Sequence, residues 1–445
     1  MKNKLSVWTK LIYGAGDIGF SLTGTIIGAY FLFFLTDVVN INPAVAGIAI
    51  LIGRTWDYIN DPLIGHLSDR TKSRWGRRRP FLLFGALPYA FAFMLMWYTP
   101  SIQNEMDLAV YYALAYVLYD VAATFVYMPY FALTPDLTDD YDERTSLTSF
   151  RMFYSIAGSL VAFTIPAMII GDFVPANANR VLSMGIIFGL VSALPLLLVF
   201  LNTREHHSKP VEDNTHILHA LKMALKNRPF VFGAVIYLVT WTSMEVLQAV
   251  LLYFIHYVLQ RGGQSDLFMG LIFGVGVLAL PLWNWVSKKL NKRLAYMVGI
   301  SFWAIVQMVL ITLNPASSFG WIIGLCVMAG VGVSAAHVLT WSILPDAIEY
   351  GEYETGERHE GVFYSLVTLM SKVANSIAIP MTAFLLNATG YVPNSLIQPN
   401  SALVGIRLLV GPVPALFLLV GIAFAWRYPL NREQYTEIVE KLKAN

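Results

Sequence analysis

Asp57 and Asp61 stand four residues apart in an apolar stretch, Ala44 to Leu67, that is long enough to cross a bilayer. Four residues is about one helical turn, so both carboxylates project from one face, with the Asn60 amide beside them. An ionised carboxylate at bilayer depth costs about 3 kcal/mol or more unless it meets a cation, a donor or water. Two on one face predict a site that receives positive charge. Sodium is a hard cation that takes carboxylate, amide carbonyl and hydroxyl oxygens. A proton serves instead if burial and the neighbouring like charge favour one protonated carboxyl. Two bland readings compete: Asp61 caps a helix break at Pro62, or Asp57 pairs with a buried base. Both must explain why two acids are buried together for structure alone.

Three more charges fall inside apolar runs: Arg151, Glu245 and Lys372. Such residues line a cavity or pair with one another. The two readings are compatible for Arg151 and Lys372, since a pair that breaks can report occupancy. Glu245 is read either as a structural partner of Lys372 or as a group that meets substrate.

The elements that must carry these residues are membrane helices. The chain has 445 residues, 56% hydrophobic and 13% charged, about half the charged fraction of an ordinary soluble domain. Apolar runs predict twelve helices near 11–39, 44–68, 80–99, 107–134, 149–171, 180–202, 230–258, 267–287, 294–313, 319–349, 361–388 and 403–426. The loop lysines and arginines then gather on one side, from Lys2 through Arg77–Arg79 and Lys288–Arg293 to Lys443. Only Arg180 and Arg261 fall opposite. Basic loops stay inside, so both termini are expected in the cytoplasm, in a plasma (inner) membrane. The short basic start, Met1 to Lys10, leads a run too long for a cleaved signal peptide.

The polar stretch 203–229 divides the chain into an N-terminal six-helix bundle (1–202) and a C-terminal bundle with a tail (230–445), and it carries an expected surface helix at 216–226. The halves echo each other 210 residues apart: Pro135-Asp136 with Pro345-Asp346, and Phe153-Tyr154-Ser155 with Phe363-Tyr364-Ser365. The loops after the second and eighth helices, Ser68 to Arg79 and Ser287 to Arg293, echo as well. The fold class is therefore all-α, two pseudo-symmetric bundles, and such repeats rock around a mid-membrane substrate. Acidic runs at Asp136–Glu143 and Asp346–Glu360 share a side with Arg70, Arg74 and Arg77–Arg79. Asp69, Arg70, Arg144 and Asp346, nearest the helix ends, are the expected gating residues.

Composition excludes much else. The net charge of +2 and the lack of a basic, aromatic-laced stripe leave no nucleic-acid partner. Cys326 is the one cysteine, so there is no disulfide framework. No HExxH, GxSxG or GxxxxGK[ST] occurs, so neither a membrane transferase nor ATP as an energy source is supported. No cofactor is expected beyond a coupling Na⁺ or H⁺.

These residues carry a family likeness. Asp69-Arg70 followed by Gly76-Arg77-Arg78-Arg79 resembles the loop signature of the major facilitator superfamily. The chain more specifically resembles the glycoside–pentoside–hexuronide:cation symporters, the melibiose permease group. The likeness runs through Tyr13-Gly14-Ala15-Gly16-Asp17, then Asp57 to Pro62 with Ser73-Arg74-Trp75-Gly76, and Pro129-Tyr130. It continues through Glu143-Arg144, Arg151, Asp346 to Glu352 and Lys372. The resemblance implies a cation site at Asp57, Asn60, Asp61 and Thr124, with Asp57 and Asp61 as the metal-ion ligands if the ion is sodium. It implies a substrate site bordered by Arg151 and Lys372 and lined by Tyr127, Phe131, His337 and Thr368. It departs where the permease has acids that hold galactosyl hydroxyls: Ser21 and Tyr127 stand there, and Asp17 and Asp120 are the candidates to substitute. Arg151, Glu245 and Lys372 together resemble the charged cluster of the vertebrate sodium-dependent lysolipid symporters. A sugar or glycoside is thus the first substrate class expected, a lysolipid or hexuronide the second, in a monomer that works with a monovalent cation.

Overall fold

The computed structural model describes residues 5–138, 140–205, 224–355, 360–395, 397–430 and 441, and the regular elements among them are helices. α1 spans Val7–Ile26 and continues through π-helical turns Ile27–Phe31 and Phe34–Val38. α2 is Pro43–Arg70, α3 Arg79–Met96, α4 Glu105–Ala132, the one-turn α5 Thr134–Leu137, α6 Tyr141–Ile170 and α7 Ala178–Asn202. α8 is Arg228–Tyr253 with a π-helical turn Phe254–Val258. Then come α9 (Ser265–Leu278), α10 (Leu280–Leu290), α11 (Lys292–Leu310), α12 (Phe319–Thr355), α13 (Glu360–Ala388), α14 (Asn400–Val410) and α15 (Pro412–Trp426).

Helices occupy all twelve expected positions. Two of them are broken: Gly262–Leu278 meets Leu280–Leu290 at 41°, and α14 gives way to α15 at Gly411, followed by Pro412. Among the described residues nine helices are long and apolar enough to cross a membrane, ten if the bent pair is one span. α1 and α2 are the polar exceptions. α1 carries Lys10 and Asp17, and α2 carries Arg54, Asp57, Asp61, Asp69 and Arg70. The surface helix expected at 216–226 lies outside the described residues except for 224–226.

The starts follow from capping. Asn42 accepts from Ala44 N at 2.9 Å with Pro43 in the first turn, and Asn104 accepts from Met106 N at 3.0 Å. Asp140 accepts from Asp142 N and Glu143 N at 2.9 and 3.2 Å. Asn227 and Asn291 cap α8 and α11 in the same way. Each satisfies amide donors that a helix start leaves open.

The chain forms two compact units, Met1–Glu212 with Tyr391–Ile397, and Asp213–Gly390 with Gln398–Asn445. The division falls inside the polar stretch 203–229. The assignment of Tyr391–Ile397 to the first unit is unmarked in the sequence. Its anchor is the buried Asp37, which accepts from the Tyr391 hydroxyl at 2.7 Å and from Asn394 N at 3.2 Å. Within the first unit α1 packs on α6 and α7, α2 on α4, and α3 on α4 and α7. Within the second, α8 packs on α13 and α15, α9 on α12, and α11 on α12 and α15. Counted by span, both units pair first with fifth and sixth, second with fourth, third with fourth and sixth. The short sequence echoes thus mark a true structural repeat.

Candidate cation and substrate sites

α2 can approach α4 closely because residue 53 is glycine: a Cβ there would come within 2.5 Å of the Tyr116 ring. The approach brings Asn60, Asp61 and Thr124 together. Thr124 Oγ1 donates to Asp61 Oδ1 at 3.4 Å, and Asn60 Nδ2 donates to the Asp120 carbonyl at 3.3 Å. Asn60 and Thr124 are buried, whereas Asp57 and Asp61 are half-buried. Asp57 stands one turn earlier on the same face of α2. Pro62 does not break the helix, which runs from Pro43 to Arg70, so Asp61 is not a cap. Asp120 offers its carbonyl to Asn60, which places it with the cation candidates. Among the described residues no three or more His, Cys, Asp or Glu side chains converge on a metal site. Two carboxylates with an amide and a hydroxyl suit a monovalent ion or a proton.

Beside this pair of helices, α1, α4 and α6 bring together Asp17, Ser21, Tyr127, Phe131 and Arg151. Arg151 Nε lies 3.5 Å from Asp17 Oδ2, so the ion-pair reading of Arg151 is realised. Its guanidinium carbon also sits 4.5 Å from the Phe131 ring centre and 5.4 Å from that of Tyr130. Ser21 shares a hydrogen with Ser155 at 2.6 Å. Phe20, overlooked in the sequence, packs at 5.1 Å on Tyr127 and 5.4 Å on Phe131. It lies one turn after Asp17, which is the signal that could have found it.

The second unit carries Glu245, His337, Thr368 and Lys372. With its nitrogen turned toward Glu245, the Asn375 amide donates to both carboxylate oxygens, at 2.6 and 3.0 Å. Lys372 lies one turn before Asn375 on α13. The His337 ring meets Trp241 edge-on at 5.2 Å, Tyr237 stacks on Trp241 at 5.3 Å, and Trp341 meets Tyr237 edge-on at 5.3 Å. Tyr237, Trp241 and Trp341 were not singled out in the sequence. Thr368 is exposed, and its carbonyl accepts from Ser371 at 2.7 Å.

The charged helix ends pair within each unit. Asp136, 2% exposed, holds Arg77 at 2.8 Å and Arg78 at 2.9 Å, and Arg78 also reaches Asp69 at 3.1 Å. The hydrogen bond from Arg77 to Asp136 pushes the guanidinium above the ordinary arginine range. Glu205 accepts from the backbone N–H of Arg77, Arg78 and Arg79 at 2.7, 2.9 and 2.9 Å, a carboxylate seated at the start of α3. Gly76, with φ of 104°, makes that turn, and a Cβ there would run into the Glu205 carboxylate. Lys10 pairs with Glu143 at 3.0 Å. Arg144 Nε donates to the Thr138 carbonyl at 2.9 Å, and Arg70 is exposed at the end of α2. Asp346 pairs with Lys292 at 2.5 Å, where the expectation had looked to the arginine loop. Glu349 of that acidic run is half-buried, whereas Glu352, Glu354, Glu357 and Glu360 lie outside the described side chains.

Residues 12–432 match the family described as MFS/sugar transport protein. An uncharacterized symporter of Synechocystis sp. is 31% identical, over 99% of this chain and 97% of its own. Sodium-dependent lysophosphatidylcholine symporter 1-A of Danio rerio is 26% identical, over 97% of this chain and 87% of its own. The D-xylose-proton symporter superposes with a TM-score of 0.66 at 15% identity, over 95% of this chain and 98% of that one, a likeness of fold.

Proposed function

The chain belongs to the MFS/sugar transport protein family and is an integral membrane symporter rather than an enzyme, and we propose that it couples uptake of a sugar or glycoside to sodium, or to a proton in its place, by alternating access. The observation that carries this reading is the contact of Asp61 with Thr124 across α2 and α4, beside the buried Asn60. Oxygen ligands meet there from two helices that Gly53 lets come close against the Tyr116 ring. A cation bound by Asp57 and Asp61 offsets their charge and ties α2 to α4. Substrate affinity then rises, and by linkage substrate raises cation affinity by the same factor. Aromatic rings stack on the apolar face of a sugar ring while Asp17 and Arg151 bond its hydroxyls. The carrier sits in the plasma (inner) membrane with both termini in the cytoplasm, as a monomer.

A second reading is a lysolipid, whose cationic headgroup Glu245 within α8 would meet, or a hexuronide, whose carboxylate Arg151 or Lys372 would meet. The named relative that carries a lysophospholipid supports it too.

The test is uptake by reconstituted vesicles of labelled glycosides, a hexuronide and a lysolipid, under an imposed sodium or proton gradient. One cation moved across 100 mV supplies about 2.3 kcal/mol, which concentrates substrate about 50-fold. Asp57→Asn and Asp61→Asn should each abolish accumulation while sparing exchange. Accumulation that survives both substitutions sinks the coupling site.

A further inference from the structure

The second unit holds a cavity of about 850 Å³ apart from the cation and substrate candidates. Its walls come from Ile236 of α8, the second half of α10, the start of α11, residues 342–346 of α12, and the end of α15 with the chain just past it. The charged groups lining it are Lys288, Lys292, Arg293 and Asp346, three cations against one acid, which leaves an excess of two positive charges. Lys292 is held by Asp346 at 2.5 Å, and Arg293 donates to the Trp426 carbonyl. Lys288 is exposed. Tyr428 also lines the cavity. It is 7% exposed, and its hydroxyl has no hydrogen-bond partner among the described residues. A buried donor left unmet has given up its water for nothing, so it calls for an acceptor. Burial, then the nearby Asp346, pushes that phenol above its ordinary range, so it remains a donor.

The rest of the wall is part apolar, with Ile343, Met297 and Leu430, and part polar, with Asn284, Asn291 and Ser342. Trp426, which lines the cavity, is 63% exposed; elsewhere on α10, Trp285 is 54% exposed and the Lys289 ammonium lies 4.1 Å from its ring centre. Exposed tryptophans beside lysines mark the level of lipid headgroups.

We propose that this cavity binds a phosphate group carried on a short apolar body, either the headgroup of an anionic phospholipid or a soluble phosphate ester. Lys288, Arg293 and the Tyr428 hydroxyl donate to the phosphate oxygens, and the apolar wall takes the carbon skeleton. The anion also competes with Asp346 for Lys292, so its binding loosens the pair that joins α11 to α12.

The experiment uses the full chain in nanodiscs of phosphatidylcholine with phosphatidylglycerol, and counts phosphatidylglycerol retained by native mass spectrometry. A second arm titrates glycerol 3-phosphate into the detergent-solubilised protein. Lys288→Gln and Tyr428→Phe should each weaken binding about tenfold, the loss of one strong hydrogen bond. Lys72→Gln, on an exposed loop of the first unit, should leave binding unchanged. Both replacements are compatible with folding, since Lys288 is exposed and phenylalanine keeps the buried ring. Retained phosphatidylglycerol with no response to glycerol 3-phosphate assigns a lipid, and the converse assigns a soluble ester. Binding in neither arm, or binding that ignores both cavity substitutions, overturns the proposal.

Discussion

Replacing Arg151 alone should cost more than replacing Arg151 and Asp17 together. The two charges lie 3.5 Å apart with side chains 14% and 5% exposed, so little water screens them. At an effective dielectric of about 20, unit charges at that spacing attract by about 5 kcal/mol. The faces of Phe131 and Tyr130 add about 1 kcal/mol to holding the cation. Most of this offsets the cost of burying both charges, so the pair as a whole is worth little. The unpaired remnant is what hurts. Arg151→Gln leaves the Asp17 carboxylate buried without its cation and should destabilise by about 3–5 kcal/mol. Asp17→Asn combined with Arg151→Gln leaves two amides that can bond each other, and should recover at least about 2 kcal/mol of that loss.

The assay is thermal or denaturant unfolding of the four purified proteins in one detergent, closed into a double-mutant cycle, with vesicle uptake measured in parallel. A coupling below about 0.5 kcal/mol would falsify the claim that the two residues act as one unit. The transport readout separates structure from function. A double variant that is stable yet inactive shows that substrate uses these charges, whereas one with full uptake reduces the pair to scaffolding.

The helices were legible because each apolar run is far longer than a soluble core needs; their capping side chains were not read, and α6 starts at Tyr141, capped by Asp140, rather than at 149. The internal breaks were less so. Gly411-Pro412 carries a visible signal, as does Pro281 just after Ala279, but the π-helical turns of α1 and α8 follow no local pattern. Pro62 makes the contrary point, since the expected helix 44–68 runs through it and the competing reading of a break fails. A proline removes one backbone donor, yet a membrane helix supported by neighbours absorbs that loss, as α2 does. The cation candidates divide the same way. Asp57, Asn60 and Asp61 were read from local spacing, while Thr124 came only through family likeness because its contact spans 63 residues. Lys292 with Asp346, and the Tyr237–Trp241–Trp341 cluster, stayed hidden for related reasons. The first joins helices far apart in sequence, and aromatic residues in an apolar helix look like ordinary core.

Two further outcomes test the site from its scaffold and from its substrate. Gly53→Ala should separate α2 from α4 and cost about 1–3 kcal/mol. It should also blunt any stabilisation of the protein by sodium in a thermal melt; wild-type stability with a wild-type sodium response would show that the close approach does not position Asp61. Glu245→Gln addresses the choice of substrate, because glutamine keeps the contact with Asn375 while removing the charge. A neutral glycoside needs no charge at that position, so glycoside uptake should stay within about threefold of wild type, whereas a bound cation or choline-type headgroup would lose a charge-assisted contact worth tenfold or more, roughly. A tenfold fall for every substrate that is transported therefore moves the assignment away from neutral sugars and toward the charged or zwitterionic class.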